Sequence, residues 1–133
     1  MSKPVVRVVS AKIEQSGRYL LTQRLSKAVL PDLWEFPGGR VRLGESDADA
    51  LVRAIEHRVG TTPNVGDLVL EVTHHYDNYS VVLAVYTCTL DVPAPSPKNV
   101  QAVAWVFPDD FADYPFPPAD EATVHALVGA LDG

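Results

Sequence analysis

Cysteine is almost missing from this chain. A single one, Cys88, among 133 residues rules out an internal disulfide framework and points to a reducing compartment. No apolar run approaches the ~20 residues of a membrane span. The opening Met1-Ser2-Lys3-Pro4 also lacks the apolar core of a secretory signal. A cytoplasmic protein with no membrane role is expected. Basic residues are in deficit, with 11 Lys+Arg against 17 Asp+Glu and a formal net charge of −6. That balance disfavours nonspecific binding to nucleic acid or acidic lipid, which needs basic surface. It leaves room for a small phosphorylated ligand held in a local positive pocket. The chain is well supplied with apolar residues, at 47%, enough to bury a core without staples. Residues 1–133 are read as one domain.

The apolar pattern changes period along the chain. Val5 to Ile13 is valine-rich and reads as a buried strand. Ser16-Gly17 marks a turn into a second strand, Tyr19 to Arg24, so a hairpin is expected. Ser26 to Asp32 reads as a loop, with Pro31 set against helix. From Glu45 to Val59 the pattern is helical: Ala48, Leu51, Val52, Ile55 and Val59 recur at spacings of three and four. Ser46 followed by Asp49 resembles a capping box with aspartate for glutamate, and Gly60 is placed to end the helix in a left-handed turn. Leu68 to Tyr76 and Tyr79 to Leu90 read as strands joined by a tight Asp77-Asn78 turn. Asp91 to Asn99 is a proline-rich loop, Val100 to Phe107 a further strand, and Ala119 to Leu131 a closing helix with Val124, Leu127 and Leu131 on one stripe. This order suggests an α/β fold with a mixed sheet between helices.

One stretch carries more than fold. From Leu33 it reads LWEFPGGRVRLGESDADALVRAIEHRVGT, with Gly39, Glu45, Arg53 and Gly60 in the spacing G-x5-E-x7-R-x6-G. Trp34 to Gly39 (WEFPGG) stands in front, and Phe116 to Glu121 (FPPADE) precedes the last helix. In this skeleton the chain resembles the Nudix superfamily, whose box is G-x5-E-x7-R-E-U-x-E-E-x-G-U with U a bulky apolar residue. The flanking motifs resemble the MutT branch, the nucleoside triphosphate pyrophosphohydrolases. The resemblance spans nearly the whole chain and implies the Nudix fold, an α/β/α sandwich. It also implies that the Gly38 carbonyl is offered to a metal ion and that Glu45 and Arg53 brace the glycine loop against the helix. A planar guanidinium suits that role, since it holds a carboxylate by two hydrogen bonds.

The family's three glutamates after the arginine fall at Ala54, His57 and Arg58. These positions are three and four apart and are expected to share a helix face. In the family that face carries carboxylates holding Mg²⁺, which neutralises the charge that builds when phosphorus is attacked. Here it offers a methyl group, an imidazole and a guanidinium. Ala54 ligates nothing, His57 is a poor partner for a hard cation, and Arg58 repels one. Weak alternative ligands are the Gly38 carbonyl, Glu35, Glu45 and Glu56. A further family carboxylate aligns with Asn99. Arg58 and His57 are also candidates to pair directly with phosphate.

At the base end, Asp120 aligns with the residue that reads the purine edge in MutT-like proteins, and it is equally a natural first-turn residue. Trp34 and Phe116 are candidates to stack on a base or to fill core. His74 and His75, adjacent on a strand, point to opposite faces and cannot share a site. His125 has no partner at ligand spacing, and Cys88 reads as a small buried hydrophobe. The leading expectation is a MutT-like domain that binds a nucleotide or other diphosphate compound but hydrolyses it weakly or not at all with Mg²⁺. Two alternatives stay open: an active hydrolase using non-standard ligands, and a non-catalytic protein-interaction module.

Overall fold

The computed structural model describes residues 3–91 and 94–132. Strands β1 (Val5–Gln15) and β2 (Arg18–Gln23) form the expected hairpin. Ser16 and Gly17 both have positive φ, 53° and 81°, the signature of the turn whose twist suits a two-residue hairpin. The two strands pair only at Glu14 with Tyr19 and Gln15 with Arg18, then part. β1 continues beside two strands from further along the chain, β4 (Gly38–Arg40) and β6 (Ser80–Leu90). β2 continues beside β3 (Trp34–Glu35) and β7 (Ala102–Val106). β5 (Pro63–His75) closes the far edge against β6, giving the order β3-β2-β1-β6-β5 with β4 on β1 and β7 on β2. β1 and β6 run parallel and the other pairs antiparallel, so the sheet is mixed as expected.

Alternation along the strands produces the sandwich. Leu20 and Leu21 are neighbours and both fully buried, yet they belong to different cores. Leu20 joins Val9, Ala11 and Ile13 against Ala50, Leu51, Ile55 and Val59 of α1 (Asp47–Val59). Leu21 joins Phe36, Val106 and Phe111 against Leu127 of α2 (Glu121–Asp132). One helix therefore covers each face. Burying a leucine of this kind contributes about 1.5–3 kcal/mol.

Boundaries differ from expectation for local reasons. α1 starts at Asp47, not Glu45, because Ser46 is extended (ψ 161°) and its hydroxyl accepts from the Asp49 N–H at 3.1 Å. Gly60 ends it at φ 72°, donating its N–H to the Glu56 carbonyl. β5 begins at Pro63 rather than Leu68, since a proline without a donor is tolerated at a strand's first position. β3 and β4 are too short for a period to reveal. So is a 3-10 helix over Pro108–Asp113. α2 follows a 3-10 turn over Pro118–Asp120, which leaves Ala119 and Asp120 outside the closing helix. The Leu131 side chain, placed on that helix's stripe, lies outside the described ones, as do Val92 and Pro93 of the proline loop.

That loop caps α1. The N–H groups of Ser96, Lys98 and Asn99 donate to the carbonyls of Val59 and Arg58, and the Asn99 side-chain amide donates to His57 at 2.7 Å. Carbonyls in the last turn of a helix have no partner within it, so these contacts satisfy groups otherwise left open. Cys88 is buried beside the α1 core, and burial pushes its thiol up to about 11. Among the described residues no helix is long and apolar enough to cross a membrane.

Candidate functional site

The glycine loop lies directly on α1. Gly38 and Gly39 pair with Ser10 and Val9 of β1. A Cβ on Gly39 would stand 2.9 Å from that of Ala54 and 3.7 Å from Nη2 of Arg58, so only a bare backbone fits so close to the helix. Arg53 holds the loop in place. Its Nε donates to Glu45 Oε2 at 2.8 Å, and its Nη2 to Glu45 Oε1 at 2.9 Å and to the Arg40 carbonyl at 2.8 Å. The Arg42 N–H donates to the same carboxylate at 3.0 Å. The helix starting late, at Asp47, is what leaves Glu45 in the loop to receive these bonds.

The Arg53 guanidinium first, and the Arg42 N–H second, hold the Glu45 carboxyl down at about 2, against an ordinary 4.5. Below pH 4.5 the unfolded chain protonates this group while the folded chain keeps it ionised until about pH 2. The stabilisation is therefore complete above 4.5 and is lost as pH falls toward 2. Glu45→Gln is expected to be less stable than the natural chain at neutral pH, with the gap closing across that window. Urea midpoints of both proteins as a function of pH measure it, and a gap that stays constant with pH contradicts the assignment.

The expected shared face of positions 54, 57 and 58 divides in the structure. Ala54 and Arg58, one turn apart, look toward the loop, whereas Glu56 and His57 are exposed. Each residue advances ~100° around a helix, enough to carry the latter two off the loop side. His57 instead borders a second hollow of about 240 Å³ with Asn99, on the other side of Arg24 and Arg58, which line both. Neither His57 nor Glu56 is part of the main cleft's lining. Glu45 has both oxygens committed to the brace. Glu35 is gripped from two sides, by Arg58 Nη1 at 3.1 Å and Arg24 Nη1 at 3.0 Å. Arg58 does not face outward as a free charge; it closes onto this carboxylate.

The main cleft has a volume of about 480 Å³, within the range of small-molecule sites. Arg24, Glu35 and Arg58 line one part of it, with Gly38, Gly39 and Arg40. Tyr76, Tyr79, Ser10 and Asp120 also face it. Asp120 is 6% exposed. Burial first, and the Glu35 charge second, push its carboxyl well above the usual carboxylate range, toward its neutral, proton-donating form. Arg24 opposes this only in part. The Ser10 hydroxyl is buried with no hydrogen-bond partner among the described residues.

Of the stacking candidates, neither lines the cleft. Trp34 packs edge-on to Tyr114 at 5.1 Å, and Phe116 stacks on Phe36 at 5.5 Å, both within the core beneath α2. Trp34 and Glu35 are consecutive on β3, so only one can face the cleft, and it is the glutamate. The aromatic residues that do face it are Tyr76 and Tyr79, stacked at 4.9 Å and 20°. Sequence reasoning passed over them, though the signal was present: residues flanking a two-residue turn are cross-strand neighbours on one face. The Tyr76 N–H donates to the Tyr79 carbonyl at 2.8 Å across that turn. Ser10 was recoverable from the alternation of β1. His75 bonds to Ser80 at 2.7 Å and His74 packs on Tyr76, which leaves neither as a ligand pair.

These side chains do not fit the Mg²⁺ site that the motif implies. Mg²⁺ needs several free oxygens. Among the described residues no three of His, Cys, Asp or Glu gather closely enough to hold a metal.

A mixed sheet between two helices, with a glycine loop braced to the first of them beside a ligand-sized cleft, defines a small α/β/α domain. The chain belongs to the NUDIX domain family, whose model matches residues 8–126. It is similar to the CTP pyrophosphohydrolase of Escherichia coli (strain K12), 31% identical over 124 residues, 93% of this chain and 92% of that one. It is also similar to the 8-oxo-dGTP diphosphatase of Haemophilus influenzae, 28% identical over 129 residues, 96% of this chain and 95% of that one. The solution structure of MutT from methicillin-resistant Staphylococcus aureus 252 is 34% identical, covering 97% of this chain and 99% of that one with a TM-score of 0.76. The chain is a MutT-like Nudix protein, and members of this family generally use a divalent metal such as Mg²⁺.

Proposed function

We propose that this chain, acting as a single cytoplasmic domain, binds a nucleotide or related diphosphate compound in its cleft and hydrolyses it slowly or not at all with Mg²⁺. The observation that carries this is the ion pair between Arg58 and Glu35. It brings a permanent positive charge, already engaged, to the helix face where the motif calls for carboxylates. A guanidinium cannot ligate a cation and raises the cost of bringing one near. The relatives' names, a CTP pyrophosphohydrolase and an 8-oxo-dGTP diphosphatase, support a nucleoside triphosphate as the ligand class. The cleft supports the same reading: paired tyrosine rings in the same lining as a buried Asp120 suit a base, and the arginine-lined part suits phosphates. The deciding measurement is pyrophosphate release from a panel of nucleoside triphosphates with Mg²⁺, Mn²⁺ or Zn²⁺. Rates near the enzyme-free background are expected. Rapid turnover with any of the three ions refutes the impaired-hydrolysis reading.

A further inference from the structure

We infer that Arg58, with Arg24, is a built-in cation that receives the ligand's phosphates directly, so that anion binding in this cleft requires no divalent metal. The inference rests on reading the cleft as a nucleotide site and concerns its phosphate end. Two guanidiniums share one carboxylate: Arg58 Nη1 meets Glu35 Oε1 at 3.1 Å and Arg24 Nη1 meets Oε2 at 3.0 Å. Two positive charges against one negative leave the cluster with a surplus positive charge at the cleft wall.

The cluster is also fixed in place. Arg24 donates from Nε to the carbonyls of Val29 and Leu30 at 2.8 and 3.1 Å, which pins its plane. Arg58 uses only Nη1. Its Nε and Nη2 have no partner among the described residues, and Nη2 hangs over the bare backbone of Gly39. An open fork of this kind matches the oxygens of a phosphate, with little further ordering to be done on binding. The side chains are only 29% (Arg58), 23% (Arg24) and 14% (Glu35) exposed, so salt screens them less than surface charges. A second, independent sign of a ligand lies in the same cleft: the Ser10 hydroxyl is buried there with no hydrogen-bond partner among the described residues, and the Asp120 carboxyl is buried in the same lining. Buried polar groups are seldom left unsatisfied, and a bound molecule would satisfy this hydroxyl.

A purely structural role is the competing account. Arg58 sits in the last turn of α1, where a cation complements the helix dipole. That role predicts a change in stability and none in ligand affinity.

The test is calorimetric titration of the full chain with inorganic pyrophosphate and with CTP, in EDTA and in Mg²⁺. Both ligands are expected to bind in EDTA. Arg58→Gln is expected to weaken each by about tenfold or more, the worth of one charge-assisted bond. Arg58→Lys, which keeps charge but loses the fork, falls between. Thermal unfolding of each variant reads stability separately, and Arg24→Gln serves if Arg58→Gln does not fold. Binding that appears only with Mg²⁺, or affinity unchanged in folded Arg58→Gln, overturns the inference and leaves the nucleotide reading intact. Arg58-dependent binding of pyrophosphate without any binding of CTP overturns the nucleotide reading and supports the direct phosphate contact. Failure of both ligands in both buffers overturns the two together.

Discussion

The combined variant Ala54→Glu, His57→Glu and Arg58→Glu is expected to bind Mg²⁺ on the order of a thousandfold more tightly than the natural chain. At ~4 Å and an effective dielectric of ~20, one unit charge acting on another is worth about 4 kcal/mol. One carboxylate placed beside the cation supplies about that much attraction, roughly three decades of affinity, and removing the guanidinium's repulsion adds to it. Two of the three substitutions should account for most of the gain. Ala54 and Arg58 look toward the glycine loop, whereas His57 is exposed beside Asn99. The variant also frees one side of Glu35, which Arg24 continues to hold at 3.0 Å. Calorimetric titration with Mg²⁺ measures the change, and the Ala54→Glu, Arg58→Glu pair tests its division. A folded triple variant with no affinity for the ion means that the glycine loop no longer presents an oxygen where the motif implies one at Gly38.

Gly38→Ala is expected to lower stability by about 3 kcal/mol or more, a fall in Tm of roughly 10 °C. A Cβ at this position would lie 2.0 Å from the Val9 carbonyl oxygen and 2.7 Å from the Ser10 Cα. Both obstacles are backbone of β1, a strand buried between β4 and β6, so no side chain can swing aside. The strand pair must separate, and the cleft wall formed by Gly38 and Ser10 moves with it. Gly44→Ala is the control. It has a φ of +79° but nothing within 4 Å, so its cost is the left-handed backbone alone, about 1–2 kcal/mol. Thermal unfolding of the two variants side by side separates a steric cause from a conformational one. Equal losses rule out the close approach as the reason for glycine at 38.

The loop–helix unit was legible because its signals are local. The Ser46 hydroxyl and the left-handed Gly60 bound α1 close to where residue spacing predicts, and the Glu45–Arg53 brace forms between positions read off the motif. The face of Trp34 was not legible: β3 is two residues long, too short for alternation to say which of Trp34 and Glu35 turns inward. The stacked tyrosines were half legible: the turn is a local signal, whereas the facing of the two rings depends on the pairing across it.

Period and turn signals were enough for the mixed sheet between helices, and the resemblance of one motif was enough to suggest the family and to mark 54, 57 and 58 as positions where its carboxylates are absent, because these signals lie in residues near one another along the chain. Only the folded chain decided what replaced the carboxylates. Arg24 directly follows β2, Glu35 lies on β3 and Arg58 on α1, and they meet at 3.0 and 3.1 Å through the packing of these elements. No spacing rule reaches across such separations. Whether an arginine is a stray surface charge or half of a clamp depends on which carboxylate the tertiary structure brings to it.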